Sequence, residues 1–174
     1  MIITVSDLRK QIDCGTAADD LITAKLEAIE AVIRAYTNNN FQQRGIRFVG
    51  YSMGSGVYGS PQHFVVGDTV QITSYLDVNN GLYIVRDVDD VRIGLDRDLI
   101  PVEWNLVTKI QYPADVVQCA VDLYKWKQTM GDKVGVKSET ISRHSVTYED
   151  SATLFMGYPV GILNGLNLHK KARC

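Results

Sequence analysis

Cysteine is scarce in this chain, with three in 174 residues, at positions 14, 119 and 174. Cys14, Cys119 and Cys174 are widely spaced, odd in number and form no CxxC pair, which argues against a disulfide framework and a thiolate zinc site. The three histidines, His63, His144 and His169, show no ligand spacing either. No apolar run approaches the roughly 20 residues that span a bilayer. The N-terminus has no basic stretch followed by an apolar one, so a cytoplasmic product is expected. Charge of neither sign prevails: 18 Lys and Arg face 20 Asp and Glu, for a formal net charge of −2. General attraction to nucleic acid or membrane is therefore not built in, and only Lys170, Lys171 and Arg173 cluster as a basic group. What is present is ordinary apolar content, 45% of residues, enough for a chain this long to bury a core without covalent staples.

Helical patterning opens the sequence. Thr4-Val-Ser-Asp7 and Thr16-Ala-Ala-Asp19 each place a hydroxyl three residues before an acid, the spacing of a capping box. They predict a short helix over 6–12, ended by Cys14-Gly15, and a longer one over 18–36. On the longer helix Leu21, Ile22, Leu26, Ile29, Val32, Ile33 and Tyr36 recur at spacings of three and four, with Lys25 the one polar member of that stripe. Glu30 and Arg34 fall elsewhere and pair at i,i+4. Thr37-Asn-Asn-Asn40 then stops the helix.

Strand patterning takes over from 44 to 112, with apolar and β-branched runs at 46–49, 64–66, 70–75, 82–86, 91–93 and 106–110. Asn79-Asn80-Gly81 predicts a tight hairpin because Asn and Gly accept positive φ. Asp89-Asp90 and Gly67-Asp68 predict two further turns. Such short strands suit an antiparallel barrel or a curled sheet. Helix resumes at Pro113-Ala-Asp115, with Val116, Val117, Ala120, Val121, Tyr124 and Met130 facing inward and Gly131 ending it. A hairpin over 134–148 and a short helix over 160–168 follow. The expected fold is α+β: a small helical core from 1–43 and 113–174, interrupted by an inserted antiparallel β subdomain over 44–112.

Gly50-Tyr-Ser-Met-Gly54 matches the nucleophile elbow G-x-S-x-G, with Asp77 and His144 following in serine–acid–histidine order. The residues after Ser52, Gly54-Ser-Gly-Val-Tyr-Gly-Ser-Pro61, are unable to build the helix that an elbow requires. The same glycines spell G-x-G-x-x-G, yet Pro61 leads toward a strand instead of a phosphate-binding helix. Read as a mobile glycine-rich loop, 51–60 offers Tyr51 and Tyr58 as aromatic anchors of a contact surface. Asp87, Asp89, Asp90, Asp96 and Asp98 are interleaved with Arg86, Arg92 and Arg97. Counted from Asp87, Val91 and Arg92 stand at positions five and six, so a calcium loop fails and exposed polar strand faces explain the acids. Cys119 reads as a small buried hydrophobe, while Trp104 and Trp126 suit either core or interface. No catalytic residue, cofactor or metal site is expected.

After the helix from Pro113 comes Val136-Lys-Ser-Glu-Thr-Ile141, then Ser145-Val-Thr-Tyr148, then Gly161-Ile-Leu163 and a basic finish from Leu166 to Arg173. With the opening Val5-Ser-Asp-Leu8, Asp19-Asp-Leu-Ile22, Ile33-Arg-Ala-Tyr-Thr37 and Phe41, this order of parts resembles the head–tail connector (head completion adaptor) proteins of long-tailed bacteriophages. The stretch over 44–112 departs from that family's compact pattern. The resemblance implies a structural protein, made in the bacterial cytoplasm, that forms a ring on the portal at the virion head–tail joint. Its implied partners are the portal protein, a stopper or tail-completion protein, copies of itself (monomeric when free), and DNA passing through the channel without specific recognition; no membrane is involved. On that reading Lys170, Lys171 and Arg173 dock on the portal, and Lys137, Ser138, Glu139, Arg143 and Tyr148 touch a ring neighbour or the channel. Rival readings are a stopper or tail-completion protein, suggested by the β-rich middle, a serine hydrolase using Ser52, and a host-directed binding module using the Tyr51 and Tyr58 loop.

Overall fold

Thr4 opens the first helix, α1 (Val5–Gln11): its Oγ1 accepts the Asp7 N–H at 3.1 Å. The reciprocal bond differs from a capping box, because the Thr4 hydroxyl donates to the Asp7 carboxylate at 2.8 Å. Thr16 does not cap α2 (Asp19–Thr37); the cap position is Ala18 and has no side-chain bond. Arg9 secures that turn instead, its Nη2 donating to the Ala17 carbonyl at 2.7 Å and to Asp19 Oδ1 at 2.8 Å. The computed structural model describes residues 1–130, 138–141, 144–147 and 154–172. Two compact units divide the chain: Met1–Asn39 with Tyr112–Cys174, and Asn40–Gln111.

The first unit is helical. Ile22, Leu26, Ile29 and Ile33 form the fully buried stripe of α2. Leu21 is not part of it; about 100° round the helix from Ile22, it is 59% exposed. Glu30 corrects the sequence reading in the other direction, being only 4% exposed. Its burial is tolerable because each oxygen is hydrogen-bonded and a cation is close: Oε2 accepts the Ile2 N–H at 2.9 Å, Oε1 accepts the Tyr112 hydroxyl at 2.7 Å, and the Arg34 guanidinium lies at 3.4 Å. Asn38 then ends α2 in the left-handed region, φ 49°, donating to the Arg34 carbonyl.

Helix α3 (Ala114–Met130) packs on α2 and buries Val116, Cys119, Ala120, Val121, Leu123 and Tyr124. Met130, expected inward, is exposed at its end. Within the same unit β7 (Ser138–Ile141) and β8 (His144–Thr147) pair antiparallel, and β9 (Leu154–Phe155) pairs with β10 (Tyr158–Pro159). The helix expected over 160–168 is only one turn, α4 (Val160–Leu163), continued by a 3₁₀ segment, Asn164–His169. Gly161 and Gly165 raise the cost of a longer α-helix there, while Leu163 and Leu166 still bury themselves.

The second unit is a closed six-stranded antiparallel barrel in the order β1-β2-β5-β4-β3-β6, with β6 back against β1. Its strands are β1 (Gln42–Met53), β2 (Gly56–Tyr58), β3 (Thr69–Ser74), β4 (Gly81–Val88), β5 (Arg92–Leu95) and β6 (Val102–Ile110). Closure leaves no unpaired edge for another strand. Alternation supplies the interior: Val70 and Ile72 from β3, Tyr83 and Val85 from β4, Val107 from β6. Phe48 and Phe64 meet edge to face with centroids 5.4 Å apart. Residues 64–66 are not a strand as expected; Phe64 plugs the core while Val65 and Val66 are exposed.

Asn79-Asn80-Gly81 is also not the expected tight turn. Residues 75–80 join β3 to β4, and the positive φ falls on Asp77 at 57°. Asn79 is used differently, and its side chain is buried at 2% exposure. Its Oδ1 accepts the Ile100 N–H at 2.9 Å, and its Nδ2 lies 2.9 Å from the Ile100 carbonyl, 3.1 Å from Asn105 Oδ1 and 3.2 Å from Ser52 Oγ. The cluster fastens the 75–80 connection and the 96–101 segment onto β1 and β6.

Candidate functional site

The long partner of β6 is β1, and their register breaks twice, between Gln42 and Arg47 and again between Gly50 and Ser52. Gly50 pairs with Asn105 and Ser52 with Val102, so Glu103 and Trp104 together face Tyr51. An unbroken strand would send one of two successive side chains inward. The bulge leaves both outside, and Trp104 is 65% exposed. Two hollows flank this ridge, both lined by Glu103 and Trp104. One, about 450 Å³, adds Tyr75, Leu76, Pro101 and Val102. The other, about 500 Å³, adds Val49, Tyr51, Tyr58 and Val91 among its walls.

The hairpin that walls the second hollow seats closely on the barrel because of glycine. Tyr51 and Tyr58 are a directly opposed cross-strand pair of the β1–β2 hairpin, their rings stacked at 5.0 Å and 9°. At Gly59 a Cβ would stand 2.6 Å from the Phe48 ring and 2.7 Å from the Val49 carbonyl, so any side chain would push the hairpin off the barrel. Gly54, with φ +58°, makes the turn. The stretch expected as a mobile glycine-rich loop is thus a hairpin built into the barrel wall, and only Gly54 and Ser55 turn it. A G-x-S-x-G match had disguised ordinary strand alternation.

Ser52 sits within β1, 3% exposed. Its hydroxyl donates to the Ile100 carbonyl at 2.7 Å and accepts the Val102 N–H at 3.0 Å. It occupies a strand and not a sharp strand-to-helix turn, and both its donor and acceptor roles are committed to the barrel. That geometry is a structural clamp. Three of the interleaved acids are used locally: Arg92 pairs with Asp87 and, at 3.7 Å, with Asp89, and Asp96 Oδ1 accepts the Ile84 N–H at 3.0 Å. The Tyr58 hydroxyl and then the Asp87 carboxylate further favour the charged form of Arg92. Among the described residues no group of three or more His, Cys, Asp or Glu could hold a metal ion.

In the helical unit the basic finish is strapped along the end of α2. Asn39 Nδ2 donates to the His169 carbonyl at 3.1 Å, Asn38 Nδ2 to the Ala172 carbonyl at 3.1 Å, and the Lys171 N–H to the Thr37 carbonyl at 2.9 Å. The last of these satisfies the Thr37 carbonyl at the end of α2, and all three fix the strap. Lys170 and Lys171 are exposed, with the Lys170 ammonium 3.8 Å from the Tyr36 ring centroid. His169 Nε2 lies 2.6 Å from Asp115 Oδ2, and this contact holds the Asp115 carboxyl below its ordinary range.

Lys137, Arg143, Tyr148 and Arg173 lie outside the described residues. Ser138 and Glu139 belong to β7, of which the structure gives the backbone ladder. Sequence reasoning left Trp104 undecided and missed Glu103 and Asn79. A break in the alternation of β6, where Glu103-Trp104 precedes Asn105, was the available signal for the bulge. No family model and no curated protein matches this chain.

Proposed function

We propose that the chain is a non-enzymatic adaptor at a bacteriophage head–tail joint, forming a ring on the portal and presenting a platform to the stopper or tail. The observation that carries this reading is the division of the chain: both ends combine in one helical unit, and the middle segment closes separately as a barrel. That is the layout expected of a helical connector core with an insertion. The β7–β8 ladder takes in Ser138 and Glu139 of one motif and Ser145, Val146 and Thr147 of the other, on which the resemblance rests. A head-to-tail interface between copies closes into a ring when its rotation matches the portal's symmetry. Weak contacts between free copies become sufficient once the portal concentrates them.

Lys170, Lys171 and Arg173 are assigned to portal docking, since the strap presents both described lysines to solvent. Replacing all three by alanine is expected to weaken attachment to purified portal by about tenfold or more and to flatten its salt dependence. Unchanged attachment would refute that assignment. A stopper or tail-completion protein of the same joint is the second reading, favoured by the edgeless barrel with its exposed aromatic wall. A gene neighbouring tail-tube genes, and not portal and capsid genes, would select it.

A further inference from the structure

We propose that the Glu103–Trp104 wall of the barrel is a docking site for a protein segment carrying apolar side chains on either side of a lysine or arginine. The shape sets the first half of this specification. Two hollows of about 450 and 500 Å³ share one ridge, and each has the size of a site for large apolar side chains. Tyr75 and Leu76 wall one, Tyr51 and Tyr58 the other. Trp104 stands between them and makes no ring contact, hydrogen bond or ion pair with a described residue. Large exposed aromatics grouped in this way are the residue types that anchor protein interfaces.

Charge sets the second half. Glu103 stands exposed on the ridge with no ion-pair or hydrogen-bond partner among the described residues. Arg92, whose side chain lies 6.0 Å from the Tyr58 ring, is already neutralised by Asp87 and Asp89. Among the residues that line the two hollows, Glu103 is the charged one. The wall is therefore apolar with one unpaired carboxylate on its ridge, and its complement is apolar with a cation placed to meet Glu103. Single-stranded nucleic acid also stacks on aromatics, but its phosphates carry the wrong sign for this wall. The inference does not rest on the adaptor reading, and either can fail alone.

The test uses the full chain, ¹⁵N-labelled, titrated with the peptide Ac-Leu-Tyr-Lys-Leu-Tyr-NH₂ and with its counterpart in which Glu replaces Lys. The cationic peptide is expected to shift the amides of Val49, Tyr51, Val102 and Trp104 and to bind about tenfold tighter than the anionic one. Glu103→Lys should reverse that preference. Trp104→Ala should weaken the cationic peptide by about tenfold or more. Both residues are exposed, so the variants keep the barrel, checked by unchanged melting. The proposal is overturned by an absence of shifts on this wall, by equal affinity for the two peptides, or by a preference that survives Glu103→Lys. Shifts produced here by cello-oligosaccharide or oligo(dT), but not by peptide, would overturn it too.

Discussion

Replacing Asn79 by alanine tests whether the barrel is held by its buried polar cluster. The side chain is 2% exposed and bonds the Ile100 N–H and carbonyl, Asn105 and Ser52. Alanine removes the 2.9 Å acceptor of the Ile100 N–H and strips Asn105 Oδ1 of its Asn79 donor. Ser52 Oγ keeps its Ile100 and Val102 bonds. Two orphaned groups at about 1–3 kcal/mol each predict a loss of about 2–6 kcal/mol in barrel stability. Asn80→Ala is the control: Asn80 Oδ1 accepts the Ser74 N–H at 2.7 Å, but the residue is exposed, so water can replace it at a cost of about 0.5–1.5 kcal/mol. Trp104 is the barrel's own tryptophan and Trp126 belongs to the helical unit, so a Trp126→Phe background isolates the barrel in urea unfolding. A loss below about 0.5 kcal/mol for Asn79→Ala, or one no larger than for Asn80→Ala, would refute the clamp.

In the helical unit, Glu30→Ala should cost about 3–5 kcal/mol, because Ile2, Tyr112 and Arg34 lose one shared buried partner. Urea unfolding followed by Trp126 fluorescence in a Trp104→Phe background measures it. The Cys119 thiol is pushed up to about 11, by burial first and then by Asp122 and Asp115. A thiol favoured as neutral in the folded state stabilises fully below its unfolded pKa and loses that contribution as pH rises through the folded value. Stability of the wild type relative to Cys119→Ala should therefore fall between about pH 9 and 11, by at most about 2–3 kcal/mol, and native-state alkylation at pH 8 should be slow. Gly59→Ala forces a methyl to 2.6 Å from Phe48 and should cost about 1–3 kcal/mol by overpacking. Thermal unfolding checks this, with Gly45→Ala, which meets nothing within 4 Å, as the control.

Local patterns with one dominant energy were legible in the sequence. The α2 stripe was readable because burial decides it, and the stop at Asn38 because few other residues tolerate φ 49°. Val70 and Ile72 announced an inward face, and the α+β architecture with its inserted barrel followed from the change of period after Phe41. Misreadings arose wherever tertiary partners overrode a local preference. Asn79 has the propensity of a turn residue, yet its amide is worth more inside, where four polar neighbours meet it. Glu30 looked like a surface acid until chain segments far away in sequence supplied its donors. Thr16 had capping spacing, but the cap position is Ala18 and Arg9 secures the turn. Ser52 carried a famous motif whose meaning depends on a helix that this backbone does not form. The ridge at Glu103 and Trp104 depends on register between two strands fifty residues apart, which no local window contains.

Electron microscopy of particles from the parent phage or induced prophage lacking this gene tests the central claim most directly. The adaptor reading predicts filled heads and free tails side by side, rejoined when the purified protein is added back. Normally joined virions would contradict it.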